Sequence, residues 1–466
     1  MRLPRASTVV GAAFVLWGLA IGLVRLHDNS FLTHVATGRL ILAHGVPSAD
    51  PYTFTARGRP WVDESWLAEV IYGLVAKAPG GHGLQLLHAA LGAGLAGLCW
   101  VLTRPARTLG GRIVAAAMVL AVGSGYWSPR PLLMALVLFA ALMVLAETDR
   151  GAPWMAAGVL WLWVNVHGSW PVALAYLGLR WIGRRIERRP SGRLPALGGF
   201  AVVGVVAGAA NPVGPRLLVY PLTVLRDHQA FAHVVEWQSP SFGDAVNDVL
   251  LAGVAAAVVL LVARRGALED ALVLVAFTAA ALLASRNVPV AAVAVTPVLA
   301  RGLAGLGSLR GANRGVVPAG ALAAVVALGA LVTAGALGRP AYDLSAYPVR
   351  EVSWMARHGL VPGRVATPDY VGNYLEFRYG TRARAFFDDR VDVFPAPVVQ
   401  DYETLLAGGP GWQAVLARHR IDAVLWPRSD PLAGLLAESS GWSVRLQDRG
   451  WIVAVRRPTT IRGPRP

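Results

Sequence analysis

Acidic and polar side chains gather in the stretch from His27 to Trp66, which reads HDNSFLTHVATGRLILAHGVPSADPYTFTARGRPWVDESW. It follows one apolar segment and precedes a long series of others, in a chain with only 27 Asp and Glu among 466 residues. Acidic and polar side chains at the end of a bundle of apolar helices indicate the active site of a membrane enzyme. The alternative is a solvated loop that joins two apolar segments.

Asp28 is the candidate catalytic residue, because it lies at the outer end of the first apolar segment. A carboxylate near a medium of low dielectric is harder to ionise and becomes a stronger base. The alternative is an aspartate at a helix end in water. Glu64 could hold a substrate hydroxyl, although its neighbour Asp63 should point the other way in extended backbone, and a solvated face is its alternative. His34 and Asp50 are further substrate-binding candidates in this loop.

A second polar group lies in the stretch from Trp161 to Trp170, WLWVNVHGSW, at the outer end of a predicted span. An interfacial aromatic belt accounts for the tryptophans. It does not account for Asn165 and His167, because polar groups at membrane depth are costly unless they are partnered. Both are therefore candidates for hydrogen bonds to a sugar or a phosphate.

Arg130 and Arg286 are lone arginines in short turns that we place on the outer face. Because arginine is normally concentrated on the inner face, an outer arginine needs another purpose. The guanidinium fork suits a lipid phosphate. The alternative is pairing with headgroups or with an acid such as Asp28.

A metal site is not predicted. The loop after the turn at 211–215 contains His228, His233 and Glu236, but their spacing matches no familiar ligand pattern. The sequence also has no phosphate-binding P-loop, no HExxH and no GxSxG. These absences argue against a pump driven by ATP within this chain and against the common hydrolases.

The composition is that of a polytopic membrane protein. The chain is 55% hydrophobic and only 15% charged, with a mean hydropathy of +0.50, whereas soluble domains carry roughly 25% charged residues. The net charge of +16 could indicate nucleic acid in a soluble protein. Here most arginines flank apolar segments, so membrane topology explains them better. The single cysteine, Cys99, excludes a disulfide within the chain.

About eleven apolar segments are predicted to span the bilayer. The first runs from Val9 to Val24, and the others cover 82–103, 111–126, 131–147, 153–167, 169–182, 195–211, 248–263, 267–285, 287–303 and 315–337. Trp66 to Ala76 is short, amphipathic and contains Glu69, so we expect it on the membrane surface.

The distribution of arginine predicts the topology. With the N-terminus in the cytoplasm, the inner segments hold most of the arginines, in agreement with the positive-inside rule. This places the protein in the cell (inner) membrane as a multi-pass protein, with the tail outside the cytoplasm. We predict a membrane domain over 1–339, including a first outer loop at 27–81, and an α/β domain over 340–466.

The tail should contain short strands at Arg364–Thr367, Ala383–Asp388 and Ile421–Trp426, and helices at Asp401–Leu406 and Gly411–His419. A hairpin is predicted from 442–446 and 451–456 around Asp448-Arg449-Gly450. The turn Phe387-Asp388-Asp389-Arg390 ends one predicted strand. It could contact substrate or have a structural role. The fold class is thus mainly α, a polytopic helical membrane bundle with a small α/β tail.

This organisation resembles the GT-C superfamily of integral-membrane glycosyltransferases. The resemblance rests on Asp28 within HDNSFLTHVATGRLILAHGVPSADPYTF, on PWVDESWL from Pro60 to Leu67, and on NVHGSW from Asn165 to Trp170. It looks closest to bacterial relatives of the dolichyl-phosphate-mannose-type and lipid-A-sugar-type transferases. The sequence departs from the common pattern, because Asn29 stands where many members have a second acid. The tail also lacks the WWD-type motif of the oligosaccharyltransferase branch, so transfer to protein through a metal is not expected.

The resemblance implies transfer of a sugar from a polyprenyl-phosphate carrier to an envelope acceptor on the outer face. Asp28 would be the general base of an inverting reaction, and Arg130 or Arg286 would neutralise the leaving phosphate. The expected partners are a lipid-linked sugar donor, a glycan or lipid acceptor and the bilayer, with no cofactor and no nucleic acid. The alternatives are a transporter or flippase of a lipid-linked sugar and a non-catalytic assembly partner. Transporters often have paired halves with broken spans, and no matched halves are visible here.

Overall fold

The computed structural model describes residues 4–148, 150–226, 234–304 and 317–457. The chain divides into two compact units. The helical unit comprises Met1–Leu26 and Glu64–Tyr342, and the tail unit comprises His27–Asp63 and Asp343–Pro466. His228 and His233 lie outside the described residues.

The helical unit is built from helices, most of them apolar. In chain order these are α1 Ala6–Gly22, α3 Trp66–Val75, α4 His82–Leu102, α5 Leu109–Tyr126, α6 Pro131–Glu147, α7 Met155–Val166, α8 Pro171–Ile186, α9 Leu194–Gly208, α10 Arg216–Arg226, α11 Ala245–Ala263, α12 Leu268–Leu283, α13 Val288–Gly302 and α14 Ala319–Leu337. α13 is buried along nearly its whole length and packs against α5, α11 and α12, because its small Ala and Val side chains permit close approach.

All eleven predicted apolar segments are helical, as α1, α4 to α9 and α11 to α14. Among the described residues, four helices are long and apolar enough to cross a membrane. They are His82–Ala106, Leu109–Tyr126, Ala245–Ala263 and Ala319–Leu337. The other apolar helices are shorter, so the count of eleven spans stays a prediction. The helix predicted on the membrane surface is α3, and its Glu69 is buried within the unit.

Two glycines allow α1 to pack directly on α4. A Cβ atom at Gly18 would lie 2.4 Å from the carbonyl oxygen of Gly92, and one at Gly22 would lie 2.4 Å from the Cα of Ala89. The end of α1 is held by Gln85, whose side-chain amide donates to the Leu23 carbonyl over 2.7 Å. The chain therefore leaves the helical unit after α1 at a defined position.

The tail unit combines the first outer loop with the C-terminal region. Its helices are α2 Asn29–His44, α15 Val349–Arg357, α16 Asp369–Tyr379, α17 Ala396–Ala407, α18 Trp412–Arg418 and α19 Pro431–Glu438. Its strands are β1 Val365–Ala366, β2 Ala423–Pro427, β3 Trp442–Gln447 and β4 Trp451–Arg456. They form one sheet in the order β1-β2-β4-β3, with β1 parallel to β2 and the other neighbours antiparallel.

The predicted hairpin is present as β3 and β4. Asp448 closes its turn, because its carboxylate accepts the N–H groups of Gly450 and Trp451, both over 2.8 Å. These two hydrogen bonds hold the pKa of Asp448 below its usual value. The segment predicted as a strand at 383–388 instead makes only isolated bridges at Ala385 among the described residues. The helices α15, α16 and α19 had no counterpart in the sequence prediction.

The placement of 27–63 differs from the sequence-based partition, which kept the first outer loop with the membrane domain. Ala56 and Trp61 of this loop belong to the same hydrophobic core as Phe386, Phe387 and Trp426 of the C-terminal region. Burial of this apolar surface is a sufficient physical reason, since a large side chain gains about 1.5–3 kcal/mol on leaving water. The loop is thus a structural part of the tail unit.

Candidate active site

Asp28 is the N-cap residue of α2. Its backbone is extended, and its carboxylate accepts the N–H of Phe31 over 3.1 Å. The side chain is half-buried. A helix N-terminus favours a negative charge, and a base must be ionised to accept a proton. The cap therefore gives this carboxylate a defined orientation.

The helix that Asp28 begins packs against α16 through polar contacts. Thr33 donates its hydroxyl to the Glu376 carboxyl over 2.8 Å, and Ser30 donates its hydroxyl to the Asp389 carboxylate. Arg39 donates to the carbonyl of Phe377 over 3.2 Å. The predicted substrate-binding residue His34 lies on the same helix beside Thr33 and is half-buried.

Asp50, predicted to bind substrate, is instead buried in an ion pair. It is 2% exposed, and its carboxylate lies 2.6 Å from a terminal guanidinium nitrogen of Arg390. It also accepts the N–H and the hydroxyl of Thr53, over 3.0 and 2.7 Å. This burial leaves Asp50 no surface for a substrate, so we assign it a structural role.

Arg390 holds three buried carboxyl groups together. It binds Asp388 through two nitrogens, over 3.1 and 2.6 Å, and its Nη2 lies 3.8 Å from Oε1 of Glu376. We call Asp50, Glu376, Asp388 and Arg390 the Arg390 cluster. The guanidinium also lies 5.0 Å from the Tyr52 ring centre and 4.6 Å from that of Trp61, so aromatic faces support it.

The Arg390 cluster contains more acids than bases, and burial decides which acid carries a proton. Burial, reinforced by the charge of Asp388, raises the pKa of Glu376 well above its usual value, despite the opposing effect of Arg390. Burial alone would lower the pKa of Arg390, but the carboxyl groups of Asp388, Glu376 and Asp50 outweigh it and raise that pKa. Glu376 therefore keeps its proton to a higher pH in the folded chain than in the unfolded chain.

Replacing Glu376 with glutamine should change how stability depends on pH. In the unfolded chain this carboxyl ionises near its usual value of 4.5, whereas in the folded chain it keeps its proton to higher pH. The wild type therefore loses stability from this group as pH rises above about 4.5. Glutamine does not titrate, so the advantage of the Glu376→Gln variant in thermal midpoint should grow with pH. Midpoints of the detergent-solubilised proteins at several pH values test this, and a constant difference would contradict it.

In the helical unit, Glu64 contacts the turn that contains His167. Its carboxylate accepts the N–H of Gly168, which joins the segment before α3 to the turn between α7 and α8. The imidazole Nδ1 of His167 lies 2.8 Å from the hydroxyl of Ser169, and the Trp163 indole donates to that hydroxyl over 3.1 Å. The structure thus brings together two of the predicted substrate-binding residues, Glu64 and His167.

Asn165 satisfies its hydrogen bonds within the helical unit. It is fully buried, accepts the indole N–H of Trp66 over 3.0 Å and donates to the carbonyl of Trp161 over 2.7 Å. These hydrogen bonds offset the free-energy cost of burying a polar side chain. This burial leaves Asn165 a role in holding α3 to α7, in place of the predicted contact with substrate.

Arg130 and Arg286 both contact the short turn Val235–Trp237. Arg130 forms an ion pair with Glu236. From the sequence, Glu236 is a residue of the loop in which no metal site is predicted. The guanidinium carbon of Arg286 lies 4.5 Å from the ring centre of Trp237. Ser285 fixes the neighbouring backbone, because its N–H donates to the carbonyl of Gln238 over 2.8 Å. Two arginines far apart in sequence thus meet at one turn.

A groove begins two residues beyond Arg286, at Val288. It is shallow and partly open to the surroundings. It is lined mainly by apolar residues of α11 and α12 and of the preceding loop, including Phe242, Leu250, Val254 and Leu282. An apolar lining of this kind suits the hydrocarbon part of a ligand.

The class of protein that the described helices define is a mainly helical membrane protein. In fold it is similar to the oligosaccharyltransferase of Archaeoglobus fulgidus tethered with an acceptor peptide, with 13% identity and a TM-score of 0.51. That similarity covers 90% of this chain and 69% of the other. The oligosaccharyltransferase AglB of the same organism, in complex with an inhibitory peptide and a dolichol-phosphate, has 12% identity, the same coverage and a TM-score of 0.49. No protein-family model and no curated protein matches the sequence. The comparison thus shows a fold similar to that of a solved oligosaccharyltransferase.

Proposed function

We propose that this protein is a GT-C-type glycosyltransferase that moves a sugar from a polyprenyl-phosphate carrier to an envelope acceptor on the outer face of the membrane. The observation that carries the proposal is the similarity of fold over 90% of the chain. Asp28 supports it as the acid that follows α1, held by the cap of α2.

In the proposed reaction Asp28 acts as the general base. Its carboxylate accepts the proton of the acceptor hydroxyl as that oxygen attacks the anomeric carbon of the sugar. The bond between that carbon and the phosphate oxygen breaks, and the polyprenyl phosphate leaves with the bonding electrons. Because attack comes from the face opposite the leaving group, the anomeric configuration inverts.

Arg286 is the better of the two arginines for the phosphate. Arg130 is neutralised by Glu236, whereas Arg286 has no ion pair among the parts of the chain that the structure describes. The apolar groove that begins at Val288 offers a place for the first part of a prenyl chain. A phosphate at Arg286 with a hydrocarbon tail in that groove satisfies both the charge and the apolar surface.

The proposal is tested with the purified protein in liposomes that contain polyprenyl-phosphate-linked sugars. Sugar transfer releases free polyprenyl phosphate and a glycosylated acceptor in equal amounts, and the product has inverted configuration. Movement of intact donor between leaflets without cleavage would instead identify a transporter. If neither reaction occurs with any donor offered, the enzymatic proposal fails.

Arg286→Ala should raise the KM for the lipid-linked donor about 10- to 100-fold. A hydrogen bond to a charged group contributes about 1.5–3 kcal/mol, and each 1.4 kcal/mol is a factor of ten. Arg130→Ala is the matched control and should change that KM less than threefold, because its charge is already balanced by Glu236. Initial rates against donor concentration measure both effects. Equal effects of the two variants would remove the phosphate role from Arg286.

A further inference from the structure

The turn Phe387–Arg390 and the helix α16 both contact the first two turns of α2. From the sequence this turn could contact substrate or have a structural role, and the reaction proposed above does not use it. Resting on the proposed role of Asp28 as the base, we infer that Asp389 and Glu376 are positioning residues that orient the Asp28 carboxylate. They act by holding the helix that Asp28 caps.

Asp389 contacts the first turn of α2. Ser30 lies two residues after Asp28, in the first turn of α2, and donates its hydroxyl to the Asp389 carboxylate. The Asp389 N–H donates in turn to the side-chain oxygen of Asn373 on α16, over 3.3 Å. This contact limits rotation of the first turn, on which the direction of a capping side chain depends.

Glu376 holds α2 one turn further along. Its carboxyl accepts the hydroxyl of Thr33 over 2.8 Å and is fully buried. The same carboxyl belongs to the Arg390 cluster, where Asp50, Asp388 and Arg390 surround it. Movement of α2 away from α16 would therefore leave a buried carboxyl without this hydrogen bond, which is costly.

These contacts join Asp28 to a rigid part of the tail unit. Asp388 and Arg390 precede and follow the turn residue Asp389, and Arg390 is held by three carboxyl groups and two rings. A general base must be placed within hydrogen-bond reach of the proton that it accepts. An error of about 1 Å can cost about 100-fold in rate, so the support of α2 matters for catalysis.

The experiment measures kcat and donor KM for Asp389→Ala, Ser30→Ala and the double variant in the liposome assay. Each single variant should lower kcat about 10- to 100-fold with little change in KM. The double variant should be no worse than either, because both remove the same hydrogen bond. Asp389→Asn should restore most of kcat, since the amide oxygen can still accept from Ser30.

Asp401→Ala is the matched control. It removes a carboxylate that pairs with Arg418 and His419 over 2.6 and 2.7 Å in the same unit, and it should leave kcat within about threefold. An equal loss of kcat in this control, or additive losses in the double variant, would overturn the positioning role. Full activity of Asp389→Ala while Asp28→Asn is inactive would overturn it and leave the proposed function standing. Unchanged transfer by Asp28→Asn would overturn both.

Discussion

Asp28→Asn should lower kcat/KM for sugar transfer about 10²- to 10⁴-fold, the usual contribution of a general base. Asparagine cannot accept the proton of the acceptor hydroxyl at neutral pH. Its side-chain oxygen can still accept the N–H of Phe31, as Asp28 does. Asparagine is about as good an N-cap as aspartate, so α2 should be retained. The measurement is the rate of polyprenyl-phosphate release in liposomes.

Asp28→Ala separates the two roles of this residue. It removes the base and the cap together, so it should be as inactive as Asp28→Asn and also less stable by about 1 kcal/mol. Thermal midpoints and detergent extraction yields measure the structural part. Equal activity of Asp28→Asn and the wild type would exclude this carboxylate from the proton transfer.

Arg390→Ala should be the most destabilising single substitution in the tail unit. It leaves the carboxyl groups of Asp50, Asp388 and Glu376 buried without their shared cation. Removing one partner of a buried ion pair costs about 3–5 kcal/mol. For a unit of this size that corresponds to a fall in thermal midpoint of roughly 6–20 °C. Hydrogen exchange along β2 and β4 in the purified protein measures the loss.

Arg418→Ala is the comparison for that substitution. Its guanidinium also pairs with a carboxylate, that of Asp401, over 2.6 Å, but the arginine side chain is 61% exposed. Exposed ion pairs contribute about 0–1 kcal/mol, so exchange should change little. If Arg418→Ala accelerates exchange as much as Arg390→Ala does, burial is not what makes the Arg390 cluster important.

The helices of the helical unit could be predicted from the sequence, because a long apolar run rarely forms anything other than a helix. All eleven predicted segments are helices, and the hairpin around Asp448 follows from a turn that local hydrogen bonds close. Both signals are local. The prediction of a strand at 383–388 was wrong. The apolar residues of this segment enter the core from irregular backbone, and Ala385 forms only isolated bridges among the described residues.

The contacts that assemble the candidate site could not be predicted from local sequence patterns. Asp50 and Arg390 are separated by 340 positions, and no local pattern joins them. Arg130 and Glu236 are likewise 106 positions apart. Asp28 could be selected from its place after an apolar segment, but its function as an N-cap depends on where α2 begins. Nothing in the sequence distinguishes Glu376, because an acid in a short helix of polar and apolar residues resembles any solvent-exposed acid.

The division of the tail unit between two distant parts of the chain has a consequence for biosynthesis. The ribosome completes His27–Asp63 about 280 residues before it begins Asp343–Pro466. At 5–20 residues per second, the interval is roughly 15–55 s. During that time Ala56 and Trp61 have no C-terminal core to enter. The nascent loop therefore exposes these side chains until the C-terminal part of its core has been translated.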